Sequence, residues 1–185
     1  MIYIVDHQDS FTWNVVHQFS EFDDVYCSNY FDINQGRLDK AKTVVFSPGP
    51  GSPEDYPSST KLYKKYKGRK KIIGICLGYQ QILYCEKGNI IQQKRIYHGY
   101  QSVVKITNNK SIFSKNMKFK VGRYHSLKLK EPFYSKNFEI TMRCSKTNVA
   151  MAFENKIDDI YGFQFHPESF LTPNGKILIK KILSA

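Results

Sequence analysis

Ile72-Ile73-Gly74-Ile75-Cys76-Leu77-Gly78 is an apolar run that breaks into Gly-x-Cys-x-Gly. The run predicts a strand, and the residues from 77 to about 85 predict a helix directly behind it. Strand, glycine-flanked cysteine and helix together form the cysteine counterpart of the Gly-x-Ser-x-Gly nucleophile elbow. Glycine permits the sharp turn, because a Cβ on either side would crowd the neighbouring backbone. Such a turn pushes the Cys76 sulfur into a cleft at the carboxyl end of the strand, at a helix amino terminus whose dipole favours a thiolate. The other reading is a buried structural cysteine, which has no need of glycine on both sides.

Outward from this stretch, residues 2–5, 25–30 and 43–46 also predict short apolar strands. A helix falls between the first two, with Ser10 as its expected cap and Phe11, Val15, Val16 and Phe19 as its apolar face. Residues 58–67 predict another helix. Strands alternating with helices point to a parallel sheet covered on both faces. After residue 88 the pattern becomes β-rich, with strands expected at 102–107, 118–123, 126–130, 138–143, 149–153 and 161–165 and a closing helix at 174–183. The fold class is therefore α/β: an open, largely parallel sheet flanked by helices, with a β-rich second half. No linker or repeat divides it, so residues 1–185 are expected to be a single domain.

A thiolate nucleophile needs a base, and the base needs an orienting group. Gly162-Phe163-Gln164-Phe165-His166-Pro167-Glu168-Ser169 supplies both after an apolar strand, since Pro167 stops the strand and lets His166 and Glu168 project from its end. In a parallel sheet that end also carries Cys76 and the ligand crevice. A core histidine beside a surface glutamate is the plainer alternative. His7, His17, His98 and His125 have no comparable placement. Acyl chemistry also needs donors for an oxyanion. In Pro48-Gly49-Pro50-Gly51 only the glycines carry an N–H, and Gly49, with Leu77 behind the cysteine, is the expected pair. The alternative is an ordinary Pro/Gly turn.

Composition narrows the classes. The chain has 185 residues, 41% hydrophobic and 15% aromatic, which excludes a disordered chain and suffices for a core without disulfides. No apolar run approaches the ~20 residues of a membrane span. Met1-Ile2-Tyr3-Ile4-Val5-Asp6 lacks the basic region and long apolar stretch of a signal peptide, so the cytoplasm is expected, with thiols reduced. Cys27, Cys76, Cys85 and Cys144 form no C-x-x-C pair and have no histidine at zinc-ligand spacing. No metal or other cofactor is therefore expected, and Cys27, Cys85 and Cys144 are expected to be small buried hydrophobes. The net charge of +12 comes largely from 23 lysines. Its one dense cluster, residues 61–71, interleaves with Tyr63 and Tyr66. That is either a phosphate-contacting patch or the solvated face of a helix; without a nucleic-acid motif, no nucleic-acid partner is expected.

Taken together, Asp9-Ser10-Phe11-Thr12-Trp13-Asn14, Ser47-Pro48-Gly49-Pro50-Gly51-Ser52-Pro53, Gly74-Ile75-Cys76-Leu77-Gly78, His98-Gly99, Arg123-Tyr124-His125-Ser126-Leu127 and Gly162-Phe163-Gln164-Phe165-His166-Pro167-Glu168-Ser169 resemble the class I (triad) glutamine amidotransferases. The resemblance is to the small subunits of anthranilate synthase and aminodeoxychorismate synthase, in the family's order and from end to end. It implies a Cys76 attack on the side-chain amide of L-glutamine to give a γ-glutamyl thioester. His166 would serve as acid and base, Glu168 as its partner, and Gly49 and Leu77 as the oxyanion hole. Gly49, Pro50, Gly51, Gln80, Ser126 and Leu127 would hold glutamine. Ammonia would pass to a chorismate-binding synthase subunit of tryptophan or folate biosynthesis. An amidotransferase of another pathway and a stand-alone γ-glutamyl hydrolase are the alternatives.

Two departures from the family's pattern carry expectations. Tyr79 stands where relatives usually have His, next to the nucleophile helix, where it would alter glutamine contact or coupling to the partner. Asp6-His7-Gln8-Asp9 stands where relatives typically have Asp-Asn-Tyr-Asp, near the synthase interface, where it would bear on partner recognition more than on catalysis.

Overall fold

The computed structural model describes residues 1–185. The first half runs β1 (Ile2–Asp6), α1 (Thr12–Ser20), β2 (Val25–Asn29), α2 (Gln35–Lys40), β3 (Thr43–Phe46), α3 (Pro57–Tyr66), β4 (Lys71–Ile75) and α4 (Leu77–Cys85). The second half runs β5 (Ile90–Gln92), β6 (Tyr100–Ile106), β7 (Lys118–Arg123), β8 (Leu127–Leu129), β9 (Glu139–Cys144), β10 (Ala150–Asn155), β11 (Ile160–Phe163) and α5 (Gly175–Leu183).

A nine-stranded sheet in the order β2-β1-β3-β4-β11-β10-β9-β6-β7 joins the two halves. Strands β2, β1, β3, β4 and β11 run parallel, and from β10 outward every pairing is antiparallel. The expected α/β sheet with a β-rich second half is therefore present, and its late strand β11 returns to the centre of the parallel part. That return places Ile75 beside Phe163 and Gly74 beside Gly162. Alternation along each strand sorts the core into two layers. Ile2, Ile4, Val45, Ile73 and Ile75 meet α1 and α5 through Val15, Phe19, Leu178 and Ile179. Tyr3, Val5, Val44, Phe46 and Ile72 meet the other helices through Leu38, Tyr63, Ile82 and Leu83.

Several expectations are corrected. Ser10 does not cap α1: the Asp9 carboxylate accepts from the Phe11 N–H at 2.8 Å, and the Thr12 hydroxyl donates to Asp6 at 2.8 Å. Helix α2 is not foreshadowed, because its six residues hold one buried apolar position, Leu38, and no period shows. The Asn34 side chain caps it by accepting from Arg37 N–H at 3.0 Å. Strand β5 is equally silent in the sequence, since three residues paired only with β8 leave little pattern. All four thiols are free, but Cys27 and Cys85 are half-buried rather than buried; only Cys144 fits the core expectation. Burial pushes the Cys27 thiol up to about 11.

The lysine cluster is structural along much of its length. Tyr63 and Tyr66 are buried, so the interleaved aromatics belong to the core. Lys67 pairs with Glu86 at 2.5 Å. Lys70 donates to the Ala41 carbonyl at 2.5 Å, and Lys71 caps the end of α5 by donating to the Ile182 carbonyl at 2.7 Å.

Candidate active site

Cys76 follows β4 directly, with φ 52° and ψ −100°. That conformation is costly for a residue with a Cβ and persists only where the surroundings impose it. The Cys76 N–H donates to the Phe163 carbonyl at 2.8 Å, which ties the turn to β11. Helix α4 then dives under β3 so closely that a Cβ on Gly78 would lie 2.1 Å from the Phe46 carbonyl oxygen. The second glycine of Gly-x-Cys-x-Gly is thus a steric requirement of the elbow.

His166 lies just past the end of β11, where its backbone bridges Gly122 by donating to that carbonyl at 3.0 Å. The Thr172 hydroxyl donates to the His166 carbonyl at 2.6 Å, and the Gln18 amide from α1 donates to the Pro167 carbonyl at 2.9 Å. The turn is held on three sides. His166 Nδ1 meets Glu168 Oε1 at 2.6 Å, with both side chains out of contact with solvent. Nε2 is left without a hydrogen-bond partner. Burial works against the imidazolium, but Glu168, and after it the Cys76 sulfur, outweigh it and hold the His166 pKa well above the ordinary range. Phe11 and Tyr124 wall the ring edge-on, with centroids 5.2 and 4.9 Å away.

The loop after β3 rises beside the elbow. Its support is His7, which is fully buried and donates its backbone N–H to Ser47 Oγ at 2.9 Å; its Nε2 meets Ser59 Oγ at 2.8 Å. A Cβ on Gly49 would lie 2.5 Å from both His7 Cβ and Leu77 Cδ2, so the loop is clamped between them. Burial lowers the His7 pKa to about 4, leaving the ring neutral at ordinary pH. The departure at this turn therefore also touches the candidate oxyanion loop from beneath, through His7. Leu77, the first residue of α4, has an N–H with no partner inside the helix.

A cavity of about 160 Å³ opens above Cys76. Gly49, Pro50, Gly51, Leu77, Gln80, Ser126 and Leu127 all line it, as do Tyr124 and His125. Every residue expected to hold glutamine is thus brought to one place. A larger hollow of about 790 Å³ sits at the amino ends of the strands against Lys70 and Lys71, away from the carboxyl ends where parallel sheets place ligands. Tyr79 is not in the cavity. It is fully buried, stacks on Phe153 at 5.2 Å and donates to the Ala150 carbonyl at 3.4 Å, so the family's departure there is a core substitution.

Gln164 is a site residue that sequence reasoning misses. Its amide nitrogen lies 3.9 Å from Cys76 Sγ, and its Oε1 accepts from Gln80 Nε2 at 3.1 Å. A lone amide inside the apolar run of residues 162–165 is the available signal. His125, which has no distinctive placement in the sequence, is buried and lines the cavity. A strained cysteine, a buried His–carboxylate pair and a small polar cavity with displayed N–H groups form the equipment of nucleophilic acyl transfer.

The family model for glutamine amidotransferase class-I matches residues 3–185, and the chain belongs to that family. It is 38% identical over 186 residues to anthranilate synthase component 2 of Lactococcus lactis, covering 100% of this chain and 94% of that relative. It is 32% identical over 187 residues to aminodeoxychorismate synthase component 2 of Escherichia coli, covering 99% of each. A glutamine amidotransferase from Thermotoga maritima superposes with a TM-score of 0.76 at 14% identity, covering 99% of this chain and 96% of that one, which speaks for the fold.

Proposed function

We propose that this chain, read as one domain of the cytoplasm without a cofactor, is the glutaminase subunit of a chorismate-using synthase. The carrying observation is that Cys76, which lines the cavity with Gly49, Leu77 and Ser126, adjoins His166, whose Nδ1 meets Glu168. Cys76 attacks the amide carbon of glutamine, and the oxyanion takes N–H bonds from Gly49 and Leu77. His166 gives its proton to the departing ammonia, leaving a γ-glutamyl thioester. It then takes a proton from water, whose oxygen displaces the thiolate and releases glutamate. Pro50, Gly51, Gln80 and Leu127 hold the substrate, and ammonia passes to the partner without contact with bulk water.

The full-length similarity to component 2 proteins supports the partner assignment. The test mixes the chain with purified component 1 subunits of each kind, with chorismate and glutamine. Ammonia release should rise on mixing, and anthranilate or aminodeoxychorismate as product names the pathway. Rapid hydrolysis that neither partner changes would replace this reading with a stand-alone γ-glutamyl hydrolase.

A pH prediction follows from the His166 environment. Glu168 raises the His166 pKa, so removing that charge lowers it and the acid form is lost at lower pH. The alkaline limb of kcat for Glu168→Gln is expected to move to lower pH than in the wild type. An unmoved limb in a folded variant would separate Glu168 from the base.

A further inference from the structure

Arg123 is the largest fully buried side chain in the molecule and forms no salt bridge. Its guanidinium lies 3.5 Å from the centroid of the Tyr97 ring, and its Nε donates to His125 Nε2 at 3.0 Å. Other contacts are longer: Gln93 Oε1 and Ser102 Oγ at 3.5 Å and Cys144 Sγ at 3.6 Å. Buried cations are normally paired with a carboxylate, so this one is held for something other than an ion pair.

The chemistry at His125 is determined by what its neighbours can do. Arginine Nε only donates, so His125 Nε2 must accept. The Leu127 carbonyl only accepts, and it lies 2.7 Å from His125 Nδ1, so Nδ1 carries the proton. The Gln93 amide, which approaches Nδ1 at 3.2 Å, makes its shorter bond to the His125 carbonyl at 2.7 Å. The Gln93 backbone N–H also donates to the Ser126 carbonyl at 2.8 Å. The consequence is a chain from Arg123 through the His125 ring to the backbone of the cavity wall.

We propose that Arg123 and His125 are a positioning pair for the glutamine site: Arg123 sets the tautomer of His125, and His125 holds the Leu127 carbonyl so that the Ser126–Leu127 wall is fixed before substrate arrives. The proposal rests on the glutaminase reading for its substrate. Burial, and after it the Arg123 charge, lower the His125 pKa to about 3, which keeps the ring in the neutral form the relay needs. Neither residue touches the atoms that react; Cys76 and His166 are held by β4, β11 and Gly122. The pair should therefore govern substrate affinity and leave the chemistry alone.

Two isosteres divide the relay. His125→Gln keeps an acceptor for Arg123 and loses the donor to Leu127; His125→Asn keeps an N–H near the Nδ1 position and loses the acceptor. In the full chain with its synthase partner, His125→Gln and Arg123→Met are expected to raise KM for glutamine about 10- to 100-fold, with kcat little changed. His125→Asn should recover most of that loss. Alkylation of Cys76 by iodoacetamide, which needs no glutamine wall, should keep its wild-type rate in all of them. Imidazole ¹⁵N shifts should report Nδ1–H on His125 in the wild type and loss of that single tautomer in Arg123→Met. Unchanged KM in folded His125→Gln, a parallel fall in kcat and alkylation, or an Nε2–H tautomer would each overturn the proposal. Wild-type protein with the Nδ1–H tautomer but no glutamine hydrolysis, with or without partner, would overturn the glutaminase reading and leave the relay standing.

Discussion

Cys76→Ala is expected to slow glutamine hydrolysis on the order of 10⁶-fold, the scale on which removing the nucleophile of a catalytic triad acts. Without the thiolate no thioester forms, and His166 and Glu168 are left with only a water to activate. The cavity wall and the oxyanion donors stay, so glutamine should still bind. Synthesis from added ammonia in the presence of the partner should be untouched, because ammonia enters after the thioester step. That contrast separates a chemical defect from a folding defect within one pair of assays. Hydrolysis surviving within about tenfold of the wild type would end the Cys76 mechanism.

Gly78→Ala is expected to be strongly destabilising. Its Cβ would sit 2.1 Å from a backbone oxygen of β3, and Phe46 is pinned there by pairing with both β1 and β4. A side chain in the way could rotate; this carbonyl cannot, so α4 must lift off the sheet and carry the elbow with it. The loss should be about 3 kcal/mol or more, with Tm falling on the order of 10 °C. Gly36→Ala is the control. There the Cβ would meet only Asn34 Oδ1 at an ordinary 3.7 Å, inside α2, where alanine is favoured over glycine by up to about 1 kcal/mol. Thermal melts of the two variants should move in opposite directions. Equal shifts would mean that the elbow has more room than the Phe46 contact allows.

The elbow and the His166–Glu168 turn are legible in the chain because each is a local conformation with its own residue code. Glycine around a cysteine and proline after a histidine act within a few residues of themselves. The alternation of apolar strands and helices is legible for the same reason, since periodicity is a local signal. Helix α2 and strand β5 lack that signal: they are too short to show a period and owe their existence to Asn34, Tyr3 and β8. Ser10 shows the limit of residue type as a cue, because the helix is capped at Phe11 without a side-chain cap bond, and the Phe11 N–H goes to Asp9. His7 and Gln164 are ordinary residues in sequence, and each acquires its place from partners far along the chain; Arg123 combines the nearby His125 with Tyr97 and Gln93.

The sequence by itself determined that this protein carries a cysteine on a strand-to-helix turn, a histidine–glutamate turn and an α/β sheet to hold them, since those depend on backbone sterics near each residue. The tertiary structure alone decided that β11 pairs with β4 in the register that sets Phe163 beside Ile75 and ties it to the Cys76 N–H. It also decided that His7 lies against Gly49 of the loop after β3 and that Arg123 is buried over the Tyr97 ring. Such placements come from the packing of a whole sheet and from burying polar groups only where distant partners satisfy them, and neither is written in any one stretch of the chain.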